Sequence, residues 1–333
     1  MISWTVDGRA LRSPRTGIGH FLAGLLPPLS EKVPLALGLP EMIQDLPSFR
    51  GDVLCGPALL GSLWFHRWFD RLQEEDNLFC PLGVRPFGTS KKSVVVLHDL
   101  SVLLFPGWQS LKNRATVLPF LEDTVRHSLL IVPSARVRDE VVRYFRRAHV
   151  IVIPHGWDPP AEAAAWARAP LPDEYFLFLG TCEPRKNPRL LVDLWGGHPE
   201  WPPLLMAGAQ GWRMRLGRLP ANVRHHGYVA QGEKRWLLER TLALIYPSSY
   251  EGFGLPLAEA GGLGVPVIAT RVPAAEEYDI PSWIPIVPTK ASILEAVRRV
   301  LRGGVPRTNA ALPTWREAAG RYVEVLKDYA DSH

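Results

Sequence analysis

Sulfur is scarce in this sequence: three cysteines, Cys55, Cys80 and Cys182, stand among 333 residues. Their number is odd and no two form a Cys-x-x-Cys pair, which excludes a disulfide framework or a cysteine zinc site and points to a reducing compartment. No apolar run approaches the about 20 residues that a membrane-spanning helix requires. Charges already fall at Asp7 and Arg9, too early for a secretory leader, so a cytoplasmic location is expected. The Gly-x-x-x-x-Gly-Lys-Ser/Thr phosphate loop is missing. The Gly-x-Gly-x-x-Gly fingerprint of dinucleotide-binding folds is incomplete, because Leu22 stands where its third glycine belongs. No paired-aspartate metal motif is present, and neither a metal nor another cofactor is expected. Basic residues number 38 against 33 acidic ones, a net charge of +5 without a concentrated basic stripe, so nucleic acid is not an expected partner.

Apolar residues make up 47% of the chain and aromatics 10%, enough to bury a core in each of two domains of about 150 residues. Arginine outnumbers lysine, which suits phosphate recognition and equally suits a solvated surface.

Short apolar strands alternate with helical stretches along the whole chain, which predicts α/β domains with parallel sheets. Strands are expected at 2–6, 94–97, 129–132 and 150–153, with helices from His20 to Leu29, around 109–127 and from Arg136 to Arg147. A Pro- and Ala-rich stretch at 156–173 reads as a linker. Strands then follow at 175–179, 204–207, 223–228, 242–246 and 266–269. Trp315, Ala318, Tyr322, Val325 and Leu326 share one face of a terminal helix. The expected organisation is an N-terminal Rossmann-like domain over 1–156, a second over 157–313, and a terminal helix over 314–333. A cleft is expected between the two domains.

Ligands of open α/β sheets bind beyond the carboxyl ends of strands, and the chemistry-bearing residues fall there. Glu251 lies in a loop after a strand, and Glu259 lies eight residues on in the following helix. Between them Gly252, Phe253, Gly254 and Leu255 open that helix. Backbone N–H groups at a helix N-terminus favour an anion, and glycine lets a phosphate approach. Carboxylates accept directed hydrogen bonds from vicinal hydroxyls, as sugar recognition needs. Arg185 and Lys186, in a loop after another strand, offer a guanidinium fork and a point charge for a diphosphate; a solvated basic loop is the plainer alternative. Gly17 and Gly19 before a helix form a second place where phosphate can come close, or an ordinary turn. His98, beside Asp99 at the end of a buried strand, suits hydrogen bonding to a substrate hydroxyl or a structural role.

Taken together these segments resemble the large retaining glycosyltransferase family 4. The resemblance covers most of the chain. It rests on Thr16 to His20, His98 to Leu100, Val132 to Ala135, Ile153 to Asp158, Gly180 to Asn187, the Glu251–Glu259 pair, Gly264 to Ala269 and Trp315 to Ala319. It implies the GT-B fold, two Rossmann-like domains facing across a cleft with the terminal helix crossing back to the first. It implies a nucleoside-diphosphate sugar as donor and transfer with retention of anomeric configuration to a saccharide or lipid-linked saccharide, as in polysaccharide, lipopolysaccharide or O-antigen assembly. By the same resemblance Gly17 and Gly19 approach the diphosphate, Arg185 and Lys186 bind it, and Glu251 holds the donor sugar. Glu259 takes the ribose hydroxyls, Tyr228 and Val229 lie by the nucleobase, and His98 touches the sugar. The chain departs from the pattern at His20, where arginine is common, and over 284–289, which lacks the usual acidic loop.

Two other readings stay open at this level: another enzyme of the same fold, such as an epimerase or a phosphorylase, and a non-catalytic sugar-nucleotide-binding protein. An anionic membrane surface is a further candidate partner, which would make the protein peripheral on the inner face of the cytoplasmic membrane. Arg136, Arg138, Arg143, Arg146 and Arg147 line a short helix with an apolar side of Val137, Val141, Val142 and Phe145. Leu63 to Phe65, Trp68 and Phe69 add aromatic and aliphatic bulk. The same apolar side also suits packing on a sheet.

Overall fold

A computed structural model describes residues 3–56, 62–72, 77–160, 163–164, 166, 168, 170–211 and 214–332, with the side chains of 62–66 and 112–113 left aside. The chain divides into two compact units: residues 1–158 with 313–333, and residues 159–312.

The first unit runs β1 (Trp4–Asp7), α1 (Gly17–Ser30), β2 (Leu35–Leu39), β3 (Gly51–Cys55), α2 (Ser62–Arg71), β4 (Asn77–Cys80) and β5 (Ser93–Val96). It continues through α3 (Ser101–Leu104), α4 (Leu111–His127), β6 (Leu129–Val132), α5 (Ala135–Tyr144) and β7 (His149–Val152). Its seven strands are ordered β3-β2-β1-β4-β5-β6-β7 and pair in parallel. Strands β1, β2 and β5 are buried throughout, as expected of strands covered on both faces.

The second unit comprises β8 (Phe176–Leu179), α6 (Pro188–Gly196), β9 (Leu204–Ala207), β10 (Val223–Gly227), α7 (Gln231–Arg240), β11 (Ala243–Tyr246) and α8 (Leu255–Gly262). After these come β12 (Val267–Ala269), α9 (Pro273–Glu277), β13 (Trp283–Pro285) and α10 (Lys290–Leu301). Its sheet is ordered β10-β9-β8-β11-β12-β13, again parallel.

The terminal helix α11 (Trp315–Asp331) belongs to the first unit. Thr314 starts it with a reciprocal cap: Glu317 N–H donates to Thr314 Oγ1 at 3.1 Å and Thr314 N–H to Glu317 Oε2 at 2.7 Å, worth about 1 kcal/mol. Ala319, Tyr322 and Leu326 sink into the core that α1 fills with Phe21, Leu22 and Leu25. At the other end Lys92 Nζ donates to the carbonyls of Tyr329 and Ala330 at 3.3 and 3.0 Å, a cation where the helix dipole favours one.

The strand order decides where ligands can be held. In each sheet the connections wind outward in opposite directions from one pair of neighbours, β1 and β4 in the first unit and β8 and β11 in the second. Such a switch point leaves a crevice at the carboxyl ends, because the two following loops turn to opposite faces.

Candidate functional site

The β8/β11 switch point brings together Arg185, Lys186 and Glu251. The loop after β8 and the loop after β11 are stitched to each other. Ser249 N–H donates to Arg185 O at 2.7 Å, and Asn187 Nδ2 donates to Pro247 O and Ser249 Oγ, both at 2.8 Å. Asn187 holds a left-handed conformation at φ 52°, which asparagine tolerates and which turns the chain directly into α6.

Glu251 is buried, and three donors converge on its Oε1: Arg185 Nη1 at 2.5 Å, Tyr246 Oη at 2.8 Å and Ser248 Oγ at 2.8 Å. Among the described residues Oε2 makes no hydrogen bond. Burial pushes the Glu251 carboxyl up, but the charges of Arg185 and then Lys186, with the hydrogen bonds of Arg185 and Tyr246, hold it down at about 2. Arg185 is braced on its other side by Glu183 at 2.8 Å and donates to Tyr250 O at 2.8 Å. Burial lowers its pKa, and the charges of Glu251 and Glu183 outweigh that and raise it.

Lys186 differs from its neighbour. It is buried, its Nζ stands 5.3 Å over the Tyr246 ring, and among the described residues it makes no hydrogen bond or ion pair. Burial lowers its pKa, only partly opposed by the charge of Glu251. Room for the ammonium depends on Gly180: a Cβ there would lie 2.5 Å from Lys186 Nζ, on a backbone at φ 123°. A dry cation that makes no ion pair among the described residues, at a switch point, can neutralise an incoming anion.

Beyond Glu251 the loop is firmly packed. Phe253 is buried edge-on to Tyr278 at 5.6 Å, and Gly254 opens α8 at φ 104°. Pro256 has no N–H, and the N–H groups of Leu257 and Ala258 turn back to Gly254 O. Anion contacts from this helix start therefore narrow to the amides of Gly254 and Leu255. Glu259, buried one turn on, is ion-paired to Lys234 of α7. Sequence reading missed Lys234, since nothing in its spacing announces a contact 25 residues away. Tyr228, 37% exposed, and Val229, buried, follow β10. Arg168 pins this turn by donating to the carbonyls of His226 and Tyr228 at 2.8 and 2.9 Å. If Glu259 meets the ribose, Glu259→Gln weakens binding of donor and of free nucleoside diphosphate alike, by about 10-fold or more. Calorimetry on both ligands checks this, and unchanged nucleotide affinity removes Glu259 from the site.

In the first unit the structure separates residues that the sequence grouped. Gly17 is exposed at the start of α1 with open space around it, so a phosphate can approach. Gly19 is buried, and a Cβ there would lie 2.3 Å from the Ala10 carbonyl oxygen. Its small size serves the packing of α1 under the preceding turn, which accounts for the glycine without a ligand.

His98 also turns inward. Its Nε2–H donates to Pro81 O at 2.9 Å, which leaves Nδ1 to accept from His155 Nε2 at 3.4 Å. Phe21 packs against both rings, with centroids at 4.9 and 4.6 Å. His98 is half-buried, and both its ring nitrogens have partners within the unit in this geometry. His155 was carried in the motif after β7, but only the fold shows that the two rings meet. Burial lowers the pKa of His98 and takes that of His155 well below the usual value. The folded unit therefore prefers both rings neutral. Their contribution is intact above the unfolded value of about 6.5 and is lost as pH falls below it, at up to about 1.4 kcal/mol per pH unit for each proton excluded. Thermal melts between pH 7.5 and 5 are expected to show this decline, and it flattens in His155→Asn.

The basic helix α5 does not present the apolar side that membrane docking needs. Val137 and Val141 are fully buried in the core under the sheet, Phe145 packs against the same core, and Phe69 of α2 is fully buried there too. What α5 shows outside is Arg138 and Arg143, Asp139 paired with Arg138, and Val142 and Tyr144. The side chains of Leu63 to Phe65 lie outside the described residues. No described helix is long and apolar enough to cross a membrane.

Two parallel-sheet units, each wound to both faces, define the GT-B class of glycosyltransferase architecture. Residues 162–304 match the model of the family glycosyl transferases group 1. The chain is 30% identical over 222 residues to O-antigen chain mannosyltransferase B of Escherichia coli, covering 56% of this chain and 55% of that protein. It thus spans about half the length of that curated relative. Sucrose-phosphate synthase from Thermosynechococcus elongatus shares the fold over 100% of both chains with a TM-score of 0.73 and 17% identity. HepE of Anabaena, solved with UDP and glucose, matches 98% of this chain and 99% of its own, also at TM-score 0.73 and 17% identity.

Proposed function

We propose that the protein transfers a hexosyl group from a nucleoside-diphosphate sugar to a saccharide acceptor with retention of anomeric configuration and without a metal ion. The observation that carries this is Lys186, a buried ammonium with no described counter-ion, beside Arg185 and Glu251 at a switch point. Its environment favours a ligand that brings negative charge into a dry crevice, and a diphosphate does so. Mannose is the donor sugar this reading favours, from the name of the E. coli relative.

In the reaction the bond from the sugar C1 to the phosphate oxygen breaks, and the acceptor oxygen bonds to C1 on the same face. The acceptor proton passes to the departing phosphate, and nucleoside diphosphate is released. Lys186 and Arg185 stabilise the charge that grows on the leaving group, the largest lever a site without a covalent nucleophile has. Glu251, ionised and clamped through Oε1, offers Oε2 to a sugar hydroxyl. Glu259 is given the ribose, Tyr228 and Val229 the base, and the amides of Gly254 and Leu255 the phosphate or sugar.

The test is a panel of GDP-, UDP-, ADP- and dTDP-sugars with α-mannosyl oligosaccharides, following nucleoside diphosphate release and the anomeric proton of the product. Acceptor-dependent release with an α product from an α donor supports the assignment. Epimerised donor without transfer, or binding without turnover, assigns the site to one of the other readings. Turnover is expected to persist in excess EDTA, and a complete, metal-reversible loss overturns metal independence.

A further inference from the structure

We infer that Phe105 and Trp108 form a stacking platform for a pyranose ring of the acceptor saccharide, an inference that rests on the glycosyl-transfer reading and gives the acceptor a subsite. The two rings stack with centroids 4.2 Å apart at an interplanar angle of 19°. The short 3-10 turn Pro106–Trp108 brings this about, since three residues per turn set positions three apart above one another. Trp108 N–H closes the turn on Phe105 O at 3.0 Å.

Large aromatic rings in α/β units ordinarily join a core, and Trp108 joins none of the hydrophobic cores formed by the described residues. Both are half-buried, and Gly107 between them has open space where a side chain would be. Among the described residues Trp108 Nε1–H has no acceptor. The platform stands beyond the carboxyl end of β5, one short helix after His98 and Asp99, on the sheet edge where ligands of such folds are held.

Its surroundings tie it to that edge. Asp99 Oδ1 accepts from Ser101 N–H at 2.8 Å, and Ser101 Oγ accepts from Gln109 Nε2 at 2.8 Å. An indole backed on one face by Phe105 and carrying an N–H at its edge suits a sugar ring, which shows C–H groups on its face and hydroxyls at its edge. A lipid surface calls for a broader apolar patch than two half-covered rings.

The test uses the full chain labelled with 15N at the tryptophan indoles, with the Trp108 resonance assigned by its loss in Trp108→Phe. Titration with α-linked mannotriose is expected to shift this resonance saturably. Affinity is expected to fall at least 10-fold in Trp108→Ala and to be largely kept in Trp108→Tyr, with nucleoside diphosphate affinity unchanged in both. An unmoved resonance overturns the inference, as does equal affinity in Trp108→Ala or a response to phosphatidylglycerol vesicles in place of the saccharide. A parallel loss of nucleotide affinity in Trp108→Ala marks a structural role and overturns it too. Because the readout needs no turnover, failure of the platform stays distinct from failure of the donor reading, which shows as absent nucleotide-sugar binding.

Discussion

Replacing Lys186 by methionine is expected to lower transfer by about 100- to 1000-fold while leaving the melting temperature of the ligand-free protein equal to or above that of the wild type. The first half follows from the loss of a charge placed where the leaving phosphate develops its own, worth about 3–4 kcal/mol in comparable sites. The second half follows from burial. Lys186 is 7% exposed with its pKa lowered, so the folded protein holds an ammonium that water would solvate better. A lowered pKa means that protonation in the fold costs stability at every pH below the unfolded value of about 10.4. Methionine keeps the stem and removes the cost. The same logic orders the ligand response: nucleoside diphosphate is expected to raise the melting temperature of the wild type more than that of Lys186→Met, because it supplies the missing counter-charge. Steady-state rates with melts in the presence and absence of nucleotide check both halves. Full activity, or a protein that melts well below the wild type without ligand, counts against a charge held in waiting for an anion.

How much of this was open to sequence reading depends on whether the determining contact is local. The strands at 129–132 and 204–207 and the start of α6 at Pro188 stand where their patterns put them, because a four-residue apolar run or a proline at a helix start is a local signal. The helix after Gly17 begins three residues earlier than the apolar run suggested, since two of its first three residues are glycines, which signal a turn before a helix. Strands β2, β3 and β4 and helix α2 were not anticipated. Strand β3 lies at the sheet edge and is mostly exposed, so its composition never becomes strand-like.

The site divides in the same way. Arg185, Lys186 and Glu251 announce themselves by residue type at strand ends, and Glu259 by its place in the helix that follows. Their partners do not: Lys234 acquires meaning only when segments far apart in the chain converge, and Tyr246 and Ser248 only when the turn after β11 folds them back onto Glu251. The basic helix shows the converse. Val137 and Val141 at helical spacing have the same pattern whether a bilayer or a sheet covers them, and only the structure identifies the sheet. His98 carries the lesson furthest, because a histidine at a strand end looks available until His155 and Pro81 are seen to engage both its nitrogens.

Glu251→Gln is expected to reduce transfer by about 100-fold or more and, unlike the lysine change, to weaken the fold. Glutamine preserves the shape of the side chain and can still accept from Tyr246 and Ser248, so the loss isolates the charge. Arg185 then keeps Glu183 as its only described counter-charge. Breaking one side of a fully buried ion pair costs about 3–5 kcal/mol. Here Arg185 is 17% exposed and Glu251 10%, and Glu183 remains, so about 1–3 kcal/mol is the expected loss. The pH dependence separates this from a packing defect. Glu251 is held at about 2 in the fold, so its ionic contribution is present above the unfolded carboxylate value of about 4.3 and disappears as pH falls from there toward 2. The stability gap between wild type and Glu251→Gln should therefore be widest near pH 7 and close between pH 4.3 and 2. Denaturant midpoints across that range measure it, on top of the decline that both proteins share as the histidine pair protonates. A gap that stays constant to pH 2.5 assigns the loss to packing and removes the Arg185–Glu251 charge pair as the element that organises the site. An activity profile for the wild type whose acid limb lies near pH 5 to 6 must arise from another group, because Glu251 remains ionised throughout that interval.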